Sequence, residues 1–210
     1  MRYLLPAIAA LGVALPAIAQ TEPGHRMELV EIGPGPKANF YKEIAGCPAH
    51  TAACRRPAYV VAGDQLLVTD AQGEFTYVTF IPQRGRTPTE GWIETARLRR
   101  VLVPARFEAW LGDWRQLEGD ISIRRSAKRG WLELSGNATY GAFDPERVKN
   151  GSVHTGEFSG SAVPHGDTVV VDEGDGGCRV ELTLIGPYLI AADNNQCGGV
   201  NVRFMDVYRR

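Results

Sequence analysis

Short apolar or alternating runs recur along this chain roughly every eight to twelve residues, each closed by Gly, Asp, Asn or Pro, a signature of small antiparallel barrels or sandwiches. Met27–Ile32 reads as an opening strand, stopped by Gly33-Pro34-Gly35-Pro36. Asn39–Ala45 is a second extended segment. Ala58–Ala62, Gln65–Thr69 and Glu74–Ile81 follow, the last two divided by a hairpin turn at Asp70-Ala71-Gln72-Gly73. Within Glu74–Ile81 the pleat puts Phe75, Tyr77 and Thr79 on one face and Thr76, Val78 and Phe80 on the other. Gly91-Trp92-Ile93 is another short strand. Arg97–Arg106 reads as a linker. Beyond it come a strand near Trp114 and then Asp120–Arg125, Trp131–Thr139, Ser152–Val163, Asp167–Asp172, Cys178–Ile185, Tyr188–Ala192 and Val200–Arg210. No convincing helix interrupts the strands; the best candidate is Pro104–Trp110.

The pattern predicts an all-β chain in two modules, 27–101 and 110–210. About eight consecutive short strands in the second suggest an up-and-down antiparallel barrel, with a two-sheet sandwich as the alternative. The first 19 residues stand apart. Arg2, a short apolar stretch and Ala17-Ile18-Ala19 describe a secretory signal cleaved between Ala19 and Gln20. That stretch holds Pro6 and Pro16 and is shorter than the ~20 apolar residues of a spanning helix, so membrane insertion is not expected. The exported product would be periplasmic or secreted.

Composition narrows the function classes. With 44% hydrophobic residues and a formal net charge of −1, the chain is neither disordered nor a nucleic-acid binder working by bulk positive charge. The four cysteines, Cys47, Cys54, Cys178 and Cys197, fall in two local groups in the exported part. An even count in an oxidising compartment predicts disulfides, here Cys47–Cys54 and Cys178–Cys197. On the loop-entropy model they contribute roughly 2.5 and 3.3 kcal/mol. His50 lies between the first two, but neither pair has the short spacing of zinc ligands, and no metal or cofactor is expected.

Two stretches carry family resemblances. Ala58-Tyr59-Val60-Val61-Ala62-Gly63-Asp64, the following hairpin and Gly91-Trp92-Ile93 resemble a bacterial SH3-like domain, a small barrel that commonly binds cell-wall peptide or a protein partner. Trp110-Leu111-Gly112-Asp113-Trp114, the run Gly151–Gly160 and the run Asp193–Phe204 resemble the C-terminal region of LprI-type lysozyme-inhibitor-family proteins of the bacterial envelope. This chain departs from those inhibitors in lacking their Cys-rich helical domain. Gly112-Asp113-Trp114 and the closing Arg209-Arg210 are also similar to lipocalin-type barrels. That similarity implies adjacent first and last strands, with a buried Trp114 stacked on an arginine from the end of the chain.

Candidate chemistry is sparse. Ser159 misses the G-x-S-x-G spacing by one residue, and His154 and His165 flank turns as possible bases of a cell-wall hydrolase. Asp172-Glu173-Gly174-Asp175-Gly176-Gly177 departs from a calcium loop and reads as a hairpin turn. Asp193-Asn194-Asn195 beside Gly198-Gly199 reads as side-chain-stitched turns. Asn137-Ala138-Thr139 and Asn150-Gly151-Ser152 match the glycosylation acceptor, a chance match in the bacterial chain that the resemblance implies. Tyr59, Phe75, Tyr77 and Trp92 are the ligand-binding candidates, because flat amphipathic rings suit a peptide or glycan. Arg84, Arg86, Arg97, Arg99 and Arg100 cluster in sequence and read as a solvated edge, with contact to an anionic envelope polymer as the alternative. The expectation is a non-enzymatic binding protein. Its partner would be a cell-wall peptide or glycan or an envelope protein, with inhibition of an envelope-attacking hydrolase as one specific form. A hydrolase using His154 or His165 and a structural accessory domain are the alternatives.

Overall fold

The computed structural model describes residues 27–82 and 88–210, so the expected secretory signal at 1–19 and Arg84 and Arg86 lie outside the described residues. The protein is all-β, with two antiparallel sheets following one another along the chain. The first contains β1 (Glu28–Ile32), β2 (Ala38–Tyr41), β3 (Arg55–Val60), β4 (Gln65–Gln72), β5 (Phe75–Phe80), β6 (Thr89–Glu94) and β7 (Leu98–Arg100). Its spatial order is β3-β2-β6-β5-β4-β1-β7. Val30, Ile32, Phe40, Val60, Leu66, Val78 and Ile93 fill its core.

Two expectations change here. β4 continues through Asp70–Gln72, where Ala71 pairs with Thr76 and Gln72 with Phe75, so the turn tightens to Gly73-Glu74. A bulge at Val68/Asp70 takes up the shift in register, and Gly73 adopts φ +56°, which glycine tolerates without steric cost. The expected linker Arg97–Arg106 starts later, because Leu98–Arg100 forms β7 against β1.

The second sheet contains β8 (Gly112–Arg115), β9 (Gly119–Arg125), β10 (Leu132–Tyr140), β11 (His154–Ala162), β12 (Thr168–Asp172), β13 (Arg179–Ile185), β14 (Tyr188–Asp193) and β15 (Asp206–Arg209). Neighbours in sequence are neighbours in space, and β15 returns to pair with β8. The result is a nearly closed eight-strand barrel, open only between β11 and β12. Alternation produces it: in β10, Leu132, Leu134, Gly136 and Ala138 face inward while Glu133, Ser135 and Asn137 face out. The interior is packed with side chains, including Trp114, Ile121, Ile123, Phe158, Leu182, Leu189, Phe204 and Tyr208.

The two ends of this barrel close differently. Before β8, the short helix α1 (Phe107–Trp110) places buried Trp110 at one end, so the best helical candidate, Pro104–Trp110, does hold a helix where the sequence pattern offers no convincing one. Trp114 is fully buried, and its Nε1 donates to the Trp110 carbonyl at 3.0 Å. The Arg210 guanidinium lies 4.3 Å from the centre of the Trp114 ring and donates to the Ala109 carbonyl. Adjacent first and last strands and the Trp–Arg stack match the geometry expected from Gly112-Asp113-Trp114 and the closing arginines.

The other end is stoppered by the chain between β14 and β15. Val200–Met205 was expected to be strand, but it folds inward instead, burying Val202 and Phe204. The Phe204 ring meets Phe158 edge-on at 4.8 Å. Gly136 makes room, since a Cβ there would overlap the Phe158 ring and crowd Phe204. A second helix, α2 (Pro145–Lys149), was not anticipated. Asp144 caps it by accepting from Glu146 N at 3.0 Å and Arg147 N at 3.3 Å, with Pro145 at the first helical position.

The sheets touch through Leu29, Leu67 and Tyr188, which form one buried cluster. Tyr188 Oη donates to the Gln65 carbonyl at 3.1 Å, and Arg209 donates to that of Ile81. Both disulfides form as expected, Cys47–Cys54 and Cys178–Cys197. Among the described residues no helix is long and apolar enough to cross a membrane.

Candidate functional site

The site sits where the loop between β2 and β3 folds back over the first sheet. The Cys47–Cys54 disulfide closes that loop and carries His50 over Phe75, with ring centres 4.8 Å apart. Beneath lie Tyr41, Cys54, Phe75 and Trp92, a small apolar cluster separate from the main core of the sheet. The β5–β6 register sets Tyr77 opposite Trp92, and their rings meet edge-on at 5.1 Å. Tyr77 is half-buried at the rim. Burial, followed by the nearby Glu43 carboxylate, pushes its hydroxyl pKa up.

A polar rim adjoins this cluster. Tyr41 Oη donates to Glu94 Oε1 at 2.5 Å, and His50 Nδ1 stands 3.5 Å from the same oxygen. The other ring nitrogen of His50 is 3.6 Å from Glu74. Burial and then Glu94 raise the Tyr41 pKa, while Arg55 pulls the other way. Beside Tyr41 and Glu94 opens a cavity of about 160 Å³, lined by Lys37, Ala38, Asn39, Arg55 and Arg97 as well.

The four aromatic candidates do not form one strip. Trp92 and Phe75 are only 5% and 6% exposed, so they support the site from below rather than offering a ring face. Tyr77 is half-buried. Tyr59 is 53% exposed but takes the Lys37 ammonium over its ring at 4.6 Å, apart from the Trp92 cluster. The arginine run also disperses. Arg99 pairs with Glu31 at 2.7 Å and Arg100 with Glu28 at 2.9 Å, whereas Arg97 donates to the Pro36 carbonyl at 2.6 Å. Tyr41, Asn39, Lys37, Arg55 and Glu94 were not candidates from sequence. No local motif marks them, because strand order β3-β2-β6 is what brings them together.

The remaining candidates serve the barrel. His154 and His165 lie at opposite ends of β11 and do not converge. His154 Nδ1 is 2.6 Å from the Val200 carbonyl oxygen. Asp172 takes Arg179 at 2.8 Å and Gly174 N at 3.0 Å, which makes the acidic run a stitched hairpin. Asp193 accepts from the amides of Asn195, Phe204 and Met205. Asn194 accepts from Arg179 N and donates to the Gly177 carbonyl. Among the described residues no group of three or more His, Cys, Asp and Glu is placed to hold a metal ion. Comparisons with family models, curated proteins and solved structures return no match to this chain.

Proposed function

We propose that this is an exported binding protein of the bacterial envelope, and that its first module holds the peptide part of a cell-wall component. The carrying observation is half-buried Tyr77, backed by buried Trp92 at 5.1 Å and packed in the same cluster as Tyr41, beside which a polar cavity opens. An aromatic ring near directed polar groups suits a peptide, the ring giving contact area and the polar groups orientation. The two disulfides support an oxidising compartment. The barrel interior favours no competing ligand there, since Phe158, Phe204 and their neighbours occupy it.

The test is co-sedimentation with purified peptidoglycan sacculi. The wild-type protein is expected to pellet. Tyr77→Ala should weaken retention about thirtyfold, as expected for loss of a contact aromatic worth ~2 kcal/mol, while its thermal melt stays cooperative. Tyr77→Phe should keep most of the binding. Absence of wild-type sedimentation, or equal sedimentation of Tyr77→Ala, rejects the reading.

A further inference from the structure

Charge in the cavity beside Tyr41 and Glu94 is unbalanced. Lys37, Arg55 and Arg97 line it against a single carboxylate, Glu94. Elsewhere arginines find partners: Arg124 with Asp113 at 2.5 Å, Arg125 with Glu108 at 3.2 Å, Arg179 with Asp172 at 2.8 Å. Among the described residues none of the three cavity cations pairs with a carboxylate. Glu94 gives one oxygen to Tyr41, and that oxygen also faces His50. Arg97 is anchored on the Pro36 carbonyl, which fixes its guanidinium at the rim. Asn39 donates through Nδ2 to the Arg56 carbonyl at 3.1 Å and the Ala58 carbonyl at 3.4 Å. Its Oδ1 accepts from no described residue.

We propose that this cavity binds the free C-terminal carboxylate of a peptide. Lys37, Arg55 and Arg97 hold the carboxylate, while Asn39 Oδ1 and Glu94 accept the N–H groups that precede it. Mixed charge selects this ligand. A phosphate dianion would meet Glu94 inside the same cavity, whereas a carboxylate carries one charge and a donor two bonds behind it. Size agrees: about 160 Å³ is roughly five water molecules at ~30 Å³ each, room for a carboxylate and one small side chain. The inference rests on the envelope-binding reading above and names the end of the peptide that is recognised.

The experiment titrates the full chain with N-acetyl-alanyl-alanine and, separately, with its C-terminal amide, following backbone amide resonances at low salt. The acid should shift Asn39, Tyr41 and Glu94 and bind at least about tenfold more tightly than the amide, as charge-assisted hydrogen bonds imply. Arg55→Gln and Lys37→Gln alter exposed side chains, so the fold should persist. Each should weaken the acid roughly three- to tenfold and leave the amide unchanged. Equal affinity for acid and amide, or no shift at those three residues, overturns the inference. Inorganic phosphate binding as tightly as the acid overturns it too, since the cavity would then be a general anion site. Sacculus retention separates the two claims. If Tyr77-dependent retention survives without acid–amide discrimination, the carboxylate assignment alone fails; if retention is also absent, the binding reading falls with it.

Discussion

The barrel and the first sheet treat their polar loops in opposite ways. Between β14 and β15, the side chains of Asp193 and Asn194 turn onto the chain's own amides and carbonyls. Their loop drives Val202 and Phe204 into the barrel. In the first sheet, the loop between β2 and β3 stacks over Phe75, and at the rim next to it Lys37, Arg55 and Arg97 pair with no carboxylate among the described residues. A dense polar run is thus weak grounds for assigning a site. The informative quantity is how many of its groups the protein itself already satisfies.

The strongest way to break this contrast is to remove the stopper. Phe204→Ala deletes a fully buried ring and should cost about 3–5 kcal/mol in urea unfolding. Tyr59→Ala, at an exposed ring of the first sheet, should stay within about 0.5 kcal/mol. Comparable losses for the two would mean that the 194–205 loop is not a packed plug.

Disulfide removal comes next. Replacing Cys178 and Cys197 by Ser should cost about 3.3 kcal/mol and leave sacculus binding unchanged once the protein is folded. The same change at Cys47 and Cys54 should cost slightly less, about 2.5 kcal/mol, yet lower binding. That bridge holds His50 over Phe75 beside the candidate site. Binding that is indifferent to Cys47–Cys54 would separate the loop from the site.

Arg210→Gln should destabilise by roughly 0.5–2 kcal/mol, through loss of its stacking on Trp114. An unchanged denaturation midpoint would show that α1 and Trp110 close that end unaided. The smallest effect belongs to acid. Arg124 first and then Ser122 lower the Asp113 pKa, while the Gly174 amide first and then Arg179 lower that of Asp172. A depressed carboxylate pKa contributes stability above the unfolded value and loses it as pH falls through the folded one, so the barrel's midpoint should decline below about pH 4. Arg124→Gln should flatten that slope. A decline equally steep in the variant would place its origin elsewhere.

Much of the fold was legible because alternation reports directly on burial. β10 reads Leu-Glu-Leu-Ser-Gly-Asn-Ala, and its burial follows the same beat. The stacking of Trp114 on an arginine near the end of the chain was legible only through the similarity of Gly112-Asp113-Trp114 and Arg209-Arg210 to lipocalin-type barrels, which left open which arginine it would be. What escaped was set by fit over long separations. The inward fold of Val200–Met205 depends on space left at Gly136, more than sixty residues earlier in the chain. α2 had a local signal in Asp144-Pro145, outweighed by the strand pattern around it. Among the aromatics, sequence placed Tyr77 on a face but not which neighbours would lie beneath it. The cavity cations come from β3 and from the approaches to β2 and β7, so only topology assembles them.

Where β11 and β12 do not pair, no ladder of cross-strand bonds joins the two margins of the barrel wall. The two margins touch at Gly160, where a Cβ would press on Val171, so the breach is narrow but not stitched. Along β11 the amides facing β10 are bonded; the other edge is covered near Gly156 by its bridge to Gly198 and faces the breach only beyond it. Deuterium should therefore enter the later half of β11 with a two-residue beat, fast on the open side and slow on the other. Peeling should begin at these margins and reach β8 and β15 late. On the timescale of amide exchange the barrel would behave as a rolled sheet with a free hem rather than as a sealed tube.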